Sequence, residues 1–153
     1  MSEAFDIYDL SPMIAGDIGI CPLPRAPADF AAISRWQADI AVTLTTEVEY
    51  PFADFPDHLA AVSGHWLPCP IPDFGTPEQD VSDLVSRLDH ALRAGQRVLI
   101  HCLGGRGRSG MLALRLLVTQ GQEPQSALAD VRRARAHAVE TDAQYLWATS
   151  AQN

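Results

Sequence analysis

A chain of 153 residues that is 47% hydrophobic and 20% charged can bury a core without disulfide or metal staples, and it reads as a single domain over 1–153. Its formal charge of −8, from 11 basic and 19 acidic residues, disfavours nucleic acid and anionic membrane surfaces unless positive charge is concentrated locally. Every basic residue is arginine, densest at Arg106/Arg108 and Arg132/Arg133/Arg135, so any anion site belongs at one of these clusters.

The stretch "MSEAFDIYDLSP" lacks the charged, apolar and small-residue regions of a signal peptide. No apolar run reaches membrane-spanning length, so a cytoplasmic location without stable membrane association is expected. Cys21, Cys69 and Cys102 are odd in number, far apart and free of any CxxC pair. They read as reduced thiols rather than a disulfide framework or zinc site, and no metal or other cofactor is expected.

In chain order, "APADFAAISRWQ" (26–37) predicts a helix and "DIAVTLT" (39–45) a buried strand. "DHLAAVSG" (57–64) predicts a short helix stopped by Gly64, and "HWLPCPI" (65–71) an extended segment whose prolines take it out of the sheet early. A helix is predicted from Thr76, with Thr76 as N-cap, Pro77 in the first position and Gln79 completing a capping box. Its apolar face would be Val81, Leu84, Val85, Leu88 and Leu92, with Gly95 as the stop. "RVLIHC" (97–102) predicts a second buried strand, and "GMLALRLLVTQG" (110–121) a helix apolar all round. Two further helices are predicted near 124–138 and 141–151. The alternation predicts an α/β fold: a central, mainly parallel sheet flanked by helices on both faces, with ligands at the carboxyl ends of its strands.

"HCLGGRGRSG" (101–110) lies at such an end. A glycine-rich loop between a strand and a helix can curl its N–H groups into a concave nest, backed by the helix N-terminus from Ser109. Gly104, Gly105 and Gly107 give the loop freedom and room. Arg108, six residues after Cys102, returns across the mouth to grip two oxygens while the sulfur sits beneath the central atom. Positive surroundings of this kind favour thiolate over thiol, so Cys102 reads as a nucleophile. A dinucleotide loop lacks its βαβ context and acidic partner, and a Walker loop lacks its lysine, since the chain has none.

The stretch "HCLGGRGRSG" matches the signature of the protein tyrosine phosphatases, and the chain resembles the small dual-specificity phosphatases, in particular the kinase-associated group, over about 16–147. "GDIGICPLP", "PIPDFGTP" and "VETDAQYL" extend the resemblance beyond the signature. It implies that Cys102 becomes a phosphocysteine, with Arg108 and the backbone of Leu103, Gly104, Gly105, Arg106 and Gly107 binding the phosphoryl oxygens. Asp73 would act as general acid and then base, Ser109 would assist thiolate departure, and His101 would orient the loop and favour the thiolate. Gln144 would position the hydrolytic water. The implied substrate is a phosphorylated protein or small phosphate ester, phosphotyrosine first and phosphoserine or phosphothreonine within reach, with phosphate-like anions as inhibitors.

Arg106 leaves a second reading open, because lipid phosphatases of the superfamily often carry a basic residue there: an inositol-phosphate or phosphoinositide phosphatase. The helix bearing Arg132, Arg133 and Arg135 reads either as a second anion surface or as a solvated face. Cys21 and Cys69 are candidates to trap an oxidised Cys102.

Overall fold

The computed structural model describes residues 4–150. Five strands form one sheet in the order β1 (Tyr8–Asp9), β2 (Asp17–Cys21), β5 (Arg97–His101), β3 (Ile40–Thr43), β4 (His65–Pro68). Only β1 runs antiparallel to its neighbour; β2, β5, β3 and β4 are mutually parallel. Helices α1 (Pro27–Trp36) and α2 (Phe55–Ala61) cover one face. Helices α3 (Ser82–Arg93), α4 (Gly107–Thr119), α5 (Pro124–Ala134) and α6 (Asp142–Thr149) build the other.

Alternation along the central strand β5 divides the core. Val98 and Ile100 join Ile18, Ile20, Ile40 and Val42 beneath the α3–α6 layer. Leu99 points the other way, to Phe30, Ile33, Phe55 and Leu59. Gly19 on β2 admits the Trp36 ring, since a Cβ there would lie 2.7 Å from it.

Several boundaries differ from the sequence reading. β1 and β2 were not predicted as strands: the first has two residues, and "DIGIC" is short and broken by a glycine. β4 leaves the sheet at Pro68 as expected, because Pro68 and Pro70 have no N–H to give; Cys69 and Ile71 still donate to Thr43 and Leu44 carbonyls. The helix predicted from Thr76 begins at Ser82, where the Asp80 carboxylate accepts the Ser82 N–H at 2.9 Å. That Asx turn, not the Thr76 box, organises the start. α5 stops at Ala134 rather than 138, and α6 ends at Thr149; the predicted end at 151 lies outside the described residues.

Helix α4 is buried at every position from Gly107 to Leu114, as its apolar sequence predicts. It starts at Gly107, so the loop between β5 and α4 is only Cys102–Arg106. The loop is therefore anchored at both ends in the most buried part of the molecule.

Candidate active site

The sheet register puts Cys102 one residue past the end of β5, at 3% exposure. The loop that follows turns its carbonyls outward. Leu103 O accepts from the Leu23 N–H at 3.1 Å, and Arg106 O from the N–H groups of Gly110 and Val139 at 2.8 and 3.2 Å. Arg135 takes the two between, donating from Nη2 to Gly104 O at 2.8 Å and from Nε to Gly105 O at 3.2 Å. With four successive carbonyls held outside, the intervening N–H groups are left to line a concave nest.

The glycines contribute unequally. Only Gly105 has a positive φ, +70°, and a Cβ on it would lie 2.8 Å from the backbone of Cys21 and Pro22. Gly104 has open space around its Cβ position, and Gly107 is covered by the flexible Glu140 carboxylate. The conformational demand anticipated for all three falls on Gly105.

Arg108, in the first turn of α4, is 1% exposed. Its Nη1 donates to Glu49 Oε2 at 2.8 Å and to Ile71 O at 2.9 Å. Nη2 lies 3.2 Å from Asp73 Oδ1, within ion-pair range but not aligned as a hydrogen bond. Arg108 Nε, Arg108 Nη2 and Ser109 Oγ are buried with no hydrogen-bond partner. Buried donors are rarely left unspent, and the three belong to adjacent residues at the nest. Burial pushes Glu49 up, but the Arg108 hydrogen bond and charge, with the Thr46 amide, outweigh it and hold the carboxyl below its ordinary value. Burial likewise works against the Arg108 charge, and Glu49, Cys102 and Asp73 more than compensate.

Asp73 sits in a turn closed by the Gly75 N–H on Pro72 O at 2.8 Å. The left-handed Phe74, φ +62°, marks a type II turn. The turn brings Asp73 to Arg108 from 35 residues away, as the sequence pairing anticipates, while leaving its side chain 43% exposed.

His101 is buried beneath the loop. Its Nδ1 lies 3.2 Å from Cys102 O, which only accepts, so Nδ1 carries the proton. Nε2 then accepts from the Thr43 hydroxyl at 2.8 Å, and Thr43 Oγ1 accepts from Trp66 Nε1 at 2.8 Å. Burial above all, with the Arg108 charge, lowers its pKa to about 4 despite the Cys102 carbonyl and Glu49. A neutral imidazole fixes the Cys102 carbonyl but brings no positive charge to the Cys102 sulfur, which narrows what the sequence reading assigned to it.

Gln144 is buried and spends its side chain on protein groups. Oε1 accepts from the Glu140 and Thr141 N–H groups at 2.8 and 3.3 Å, and Nε2 donates to Gly75 O at 3.2 Å. The arginines of the Arg132/Arg133/Arg135 cluster are each engaged with protein groups. Arg132 donates to Ala138 O and Val139 O, Arg133 pairs with Asp130, and Arg135 holds the loop while stacking 4.3 Å over Tyr8. All three cysteines are free and buried; burial, then the nearby Cys102, pushes the Cys21 thiol well up, and burial raises Cys69.

Three residues at the site were missed: Glu49, Thr43 and Arg135. Each acts through a partner distant in sequence, so neither periodicity nor motif spacing marks it. The only local signal was that Arg108 demanded a carboxylate besides Asp73 if buried.

A strand-end cysteine, an amide nest and a buried arginine define a cysteine-based phosphatase of the protein tyrosine and dual-specificity class. Residues 11–150 match the family model described as "PTP-SAK: Swiss Army Knife protein, DSP-PTPase phosphatase domain", and the chain belongs to that family. It is similar to cyclin-dependent kinase inhibitor 3 of Rattus norvegicus, 38% identical over 80 residues, a match covering 50% of this chain and 38% of that protein. Among solved structures, the active form of Tk-PTP is 31% identical with a TM-score of 0.75, covering 90% of this chain and 93% of that one. Kinase associated phosphatase with its catalytic-site cysteine changed to serine superposes with a TM-score of 0.82 at 23% identity, over 100% of both chains. Among the described residues no helix is long and apolar enough to cross a membrane.

Proposed function

We propose that the chain hydrolyses phosphate monoesters through a phosphocysteine, with phosphotyrosine preferred and phosphoserine or phosphothreonine within reach. The observation that carries this reading is the buried Arg108, whose Nε and Nη2 make no hydrogen bond, next to the unpartnered Ser109 hydroxyl. In the first step the Cys102 thiolate attacks phosphorus in line. The ester P–O bond breaks, and protonated Asp73 gives its proton to the leaving oxygen, releasing the alcohol or phenol. In the second, ionised Asp73 takes a proton from water as its oxygen attacks phosphorus. The S–P bond breaks, inorganic phosphate leaves, and the Ser109 hydroxyl donates to the returning thiolate. Arg108 and the loop amides hold the equatorial oxygens throughout, preorganised for the charge that develops there.

A second reading, an inositol-phosphate or phosphoinositide phosphatase, rests on Arg106. With Arg25 and Arg135 it lines a cavity of about 280 Å³ beside the loop, where Asp29 opposes the positive charge. Asp29 offsets only part of that charge, and it is the net charge of −8 that favours the first reading.

The test is hydrolysis of an aryl phosphate in the presence of a chelator, abolished by Cys102→Ser. Full activity in that variant sinks the mechanism. A side-by-side panel of phosphopeptides, inositol phosphates and phosphoinositides then assigns the substrate, with Arg106→Leu selectively impairing multiply phosphorylated substrates only on the second reading. Given the similarity to cyclin-dependent kinase inhibitor 3, a phosphorylated protein kinase belongs in the panel.

A further inference from the structure

Gln144 occupies the third position of α6 with no solvent exposure, and its own N–H donates to Thr141 Oγ1 at 3.0 Å. Its carbonyl oxygen completes the capping box by accepting the Glu140 and Thr141 N–H groups. An attacking water is oriented by groups that accept its protons. An amide oxygen has two lone pairs, and both are already engaged here. The donor end of the side chain lies elsewhere, on the Gly75 carbonyl, 69 residues away in sequence.

Gly75 closes the turn that carries Asp73. That turn places Phe74 in the left-handed region, φ +62°, with the residue 60% exposed and little packing to hold it. A bulky residue in that conformation is strained, and such strain persists only where surrounding contacts impose it. The Asp73 carboxylate accepts the Phe74 N–H at 3.0 Å within the turn. The Asp73–Arg108 ion pair and the Gln144–Gly75 hydrogen bond tie the turn to the body of the protein. Nε2 of Gln144 also lies 3.3 Å from where a Cβ on Gly107 would stand, so the amide that holds the acid turn sits beside the start of α4.

We infer that Gln144 is a positioning residue, a latch that holds the Asp73 turn over the phosphate nest, and not the residue that orients the hydrolytic water. The inference rests on the reading of Asp73 as general acid.

The latch can be separated from the cap. Gln144→Glu keeps the two acceptor bonds of the capping box and removes the N–H given to Gly75, setting oxygen against oxygen. Thr141→Ala weakens the cap and leaves the latch. Rates of ester cleavage and of phosphocysteine hydrolysis are measured for the full chain across phosphate esters from activated aryl to alkyl, with thermal unfolding in parallel. In Gln144→Glu, cleavage should slow by about tenfold for alkyl esters and less than about twofold for activated aryl esters, a fraction of what a general acid supplies. Thr141→Ala should lower the thermal midpoint without steepening the leaving-group dependence. In an Asp73→Ala background, Gln144→Glu should add no further leaving-group dependence. Slowing confined to phosphocysteine hydrolysis and equal for every ester would overturn the latch, as would an undiminished effect in the Asp73→Ala background. The underlying reading fails separately, if Asp73→Ala itself leaves the leaving-group dependence of the wild-type chain unchanged.

Discussion

Glu49 Oε2 lies 2.8 Å from Arg108 Nη1, and the arginine it holds is 1% exposed. The pair is set across the fold, from the 3₁₀ turn after β3 to the first turn of α4. The Thr46 N–H braces the same carboxylate oxygen at 2.9 Å, so Glu49 fixes one edge of the guanidinium and leaves Nε and Nη2 unspent. Removing the carboxylate leaves a buried cation with only Cys102 and the half-exposed Asp73 to offset it. Glu49→Ala should therefore cost up to about 3 kcal/mol of stability, at the lower edge of what breaking a buried pair costs. Glu49→Gln keeps an acceptor and should cost less. In both, vanadate or phosphate should inhibit more weakly, because Arg108 is no longer held in place. Unfolding curves and inhibition constants check this, and unchanged inhibition in Glu49→Ala would show that Arg108 is positioned by other contacts.

Neighbouring glycines of the loop should respond very unequally to the same substitution. A Cβ on Gly105 meets Cys21 and Pro22 backbone at 2.8 Å, where nothing flexible yields, and φ is +70°. Gly105→Ala should destabilise by more than about 2 kcal/mol, combining clash with left-handed strain, and displace the Cys102 nest. On Gly104 the nearest atom to a Cβ is the Arg106 guanidinium at 3.9 Å, so Gly104→Ala should be within about 0.5 kcal/mol of wild type. Chemical denaturation of the pair checks the contrast.

The uneven demand on these glycines illustrates how far the sequence carried. The pairing of Cys102 with Arg108 was legible because a guanidinium beside a thiol at a strand end is costly without an anion, whereas Asp73 was reached only through the resemblance, since "PIPDFGTP" alone reads as a turn. The parallel sheet was legible because "DIAVTLT" and "RVLIHC" are strongly β-branched and apolar runs. Glu49 was hidden in "TTEVEY", where two glutamates flank Val48 and only the fold decides which turns inward. Arg135 was hidden for the opposite reason: it sits in a run of arginines that resembles a solvated face, and only the backward turn of residues 135–139, with His137 and Val139 at positive φ, returns it to the loop. The Thr76 start failed because a local capping pattern competed with the Asx turn at Asp80, and local rules do not rank the two.

Arg135 makes a prediction of its own. Its Nε and Nη2 hold two successive carbonyls, Gly105 O and Gly104 O, in a forked geometry that a lysine ammonium cannot reproduce. Arg135→Lys should free at least one peptide plane to rotate and point a carbonyl at the anion. The expected result is a rise in KM for an aryl phosphate and a matching loss of vanadate affinity, by roughly tenfold, with kcat less affected. Arg133→Lys, at an exposed residue paired with Asp130, serves as the control and should change neither. Equal KM values for wild type and Arg135→Lys would refute the assignment.

The neutral His101 gives the fold a pH signature. Its pKa in the folded protein is about 4, against an ordinary value near 6.5, with burial as the main cause. Above pH 6.5 the imidazole is neutral in both states, and its contribution to stability is fully present. As pH falls below that value the unfolded chain takes a proton that the folded protein refuses, so stability is lost progressively down to about pH 4, where the folded protein takes it too. The shift corresponds to about 3 kcal/mol over that window. Glu49, held below its own ordinary value, adds a further loss as its carboxyl titrates, so the measurement is a difference between two proteins. His101→Asn removes the titrating group, and its unfolding free energy should fall less steeply than wild type between pH 6.5 and pH 4. Thr43→Val leaves the imidazole in place but takes away the hydroxyl that Nε2 and Trp66 both use, which should cost about 1–3 kcal/mol at neutral pH. Denaturant unfolding across the pH series decides between them: parallel curves for wild type and His101→Asn would mean that the histidine titrates normally and that the Trp66, Thr43 and His101 chain does not hold it neutral.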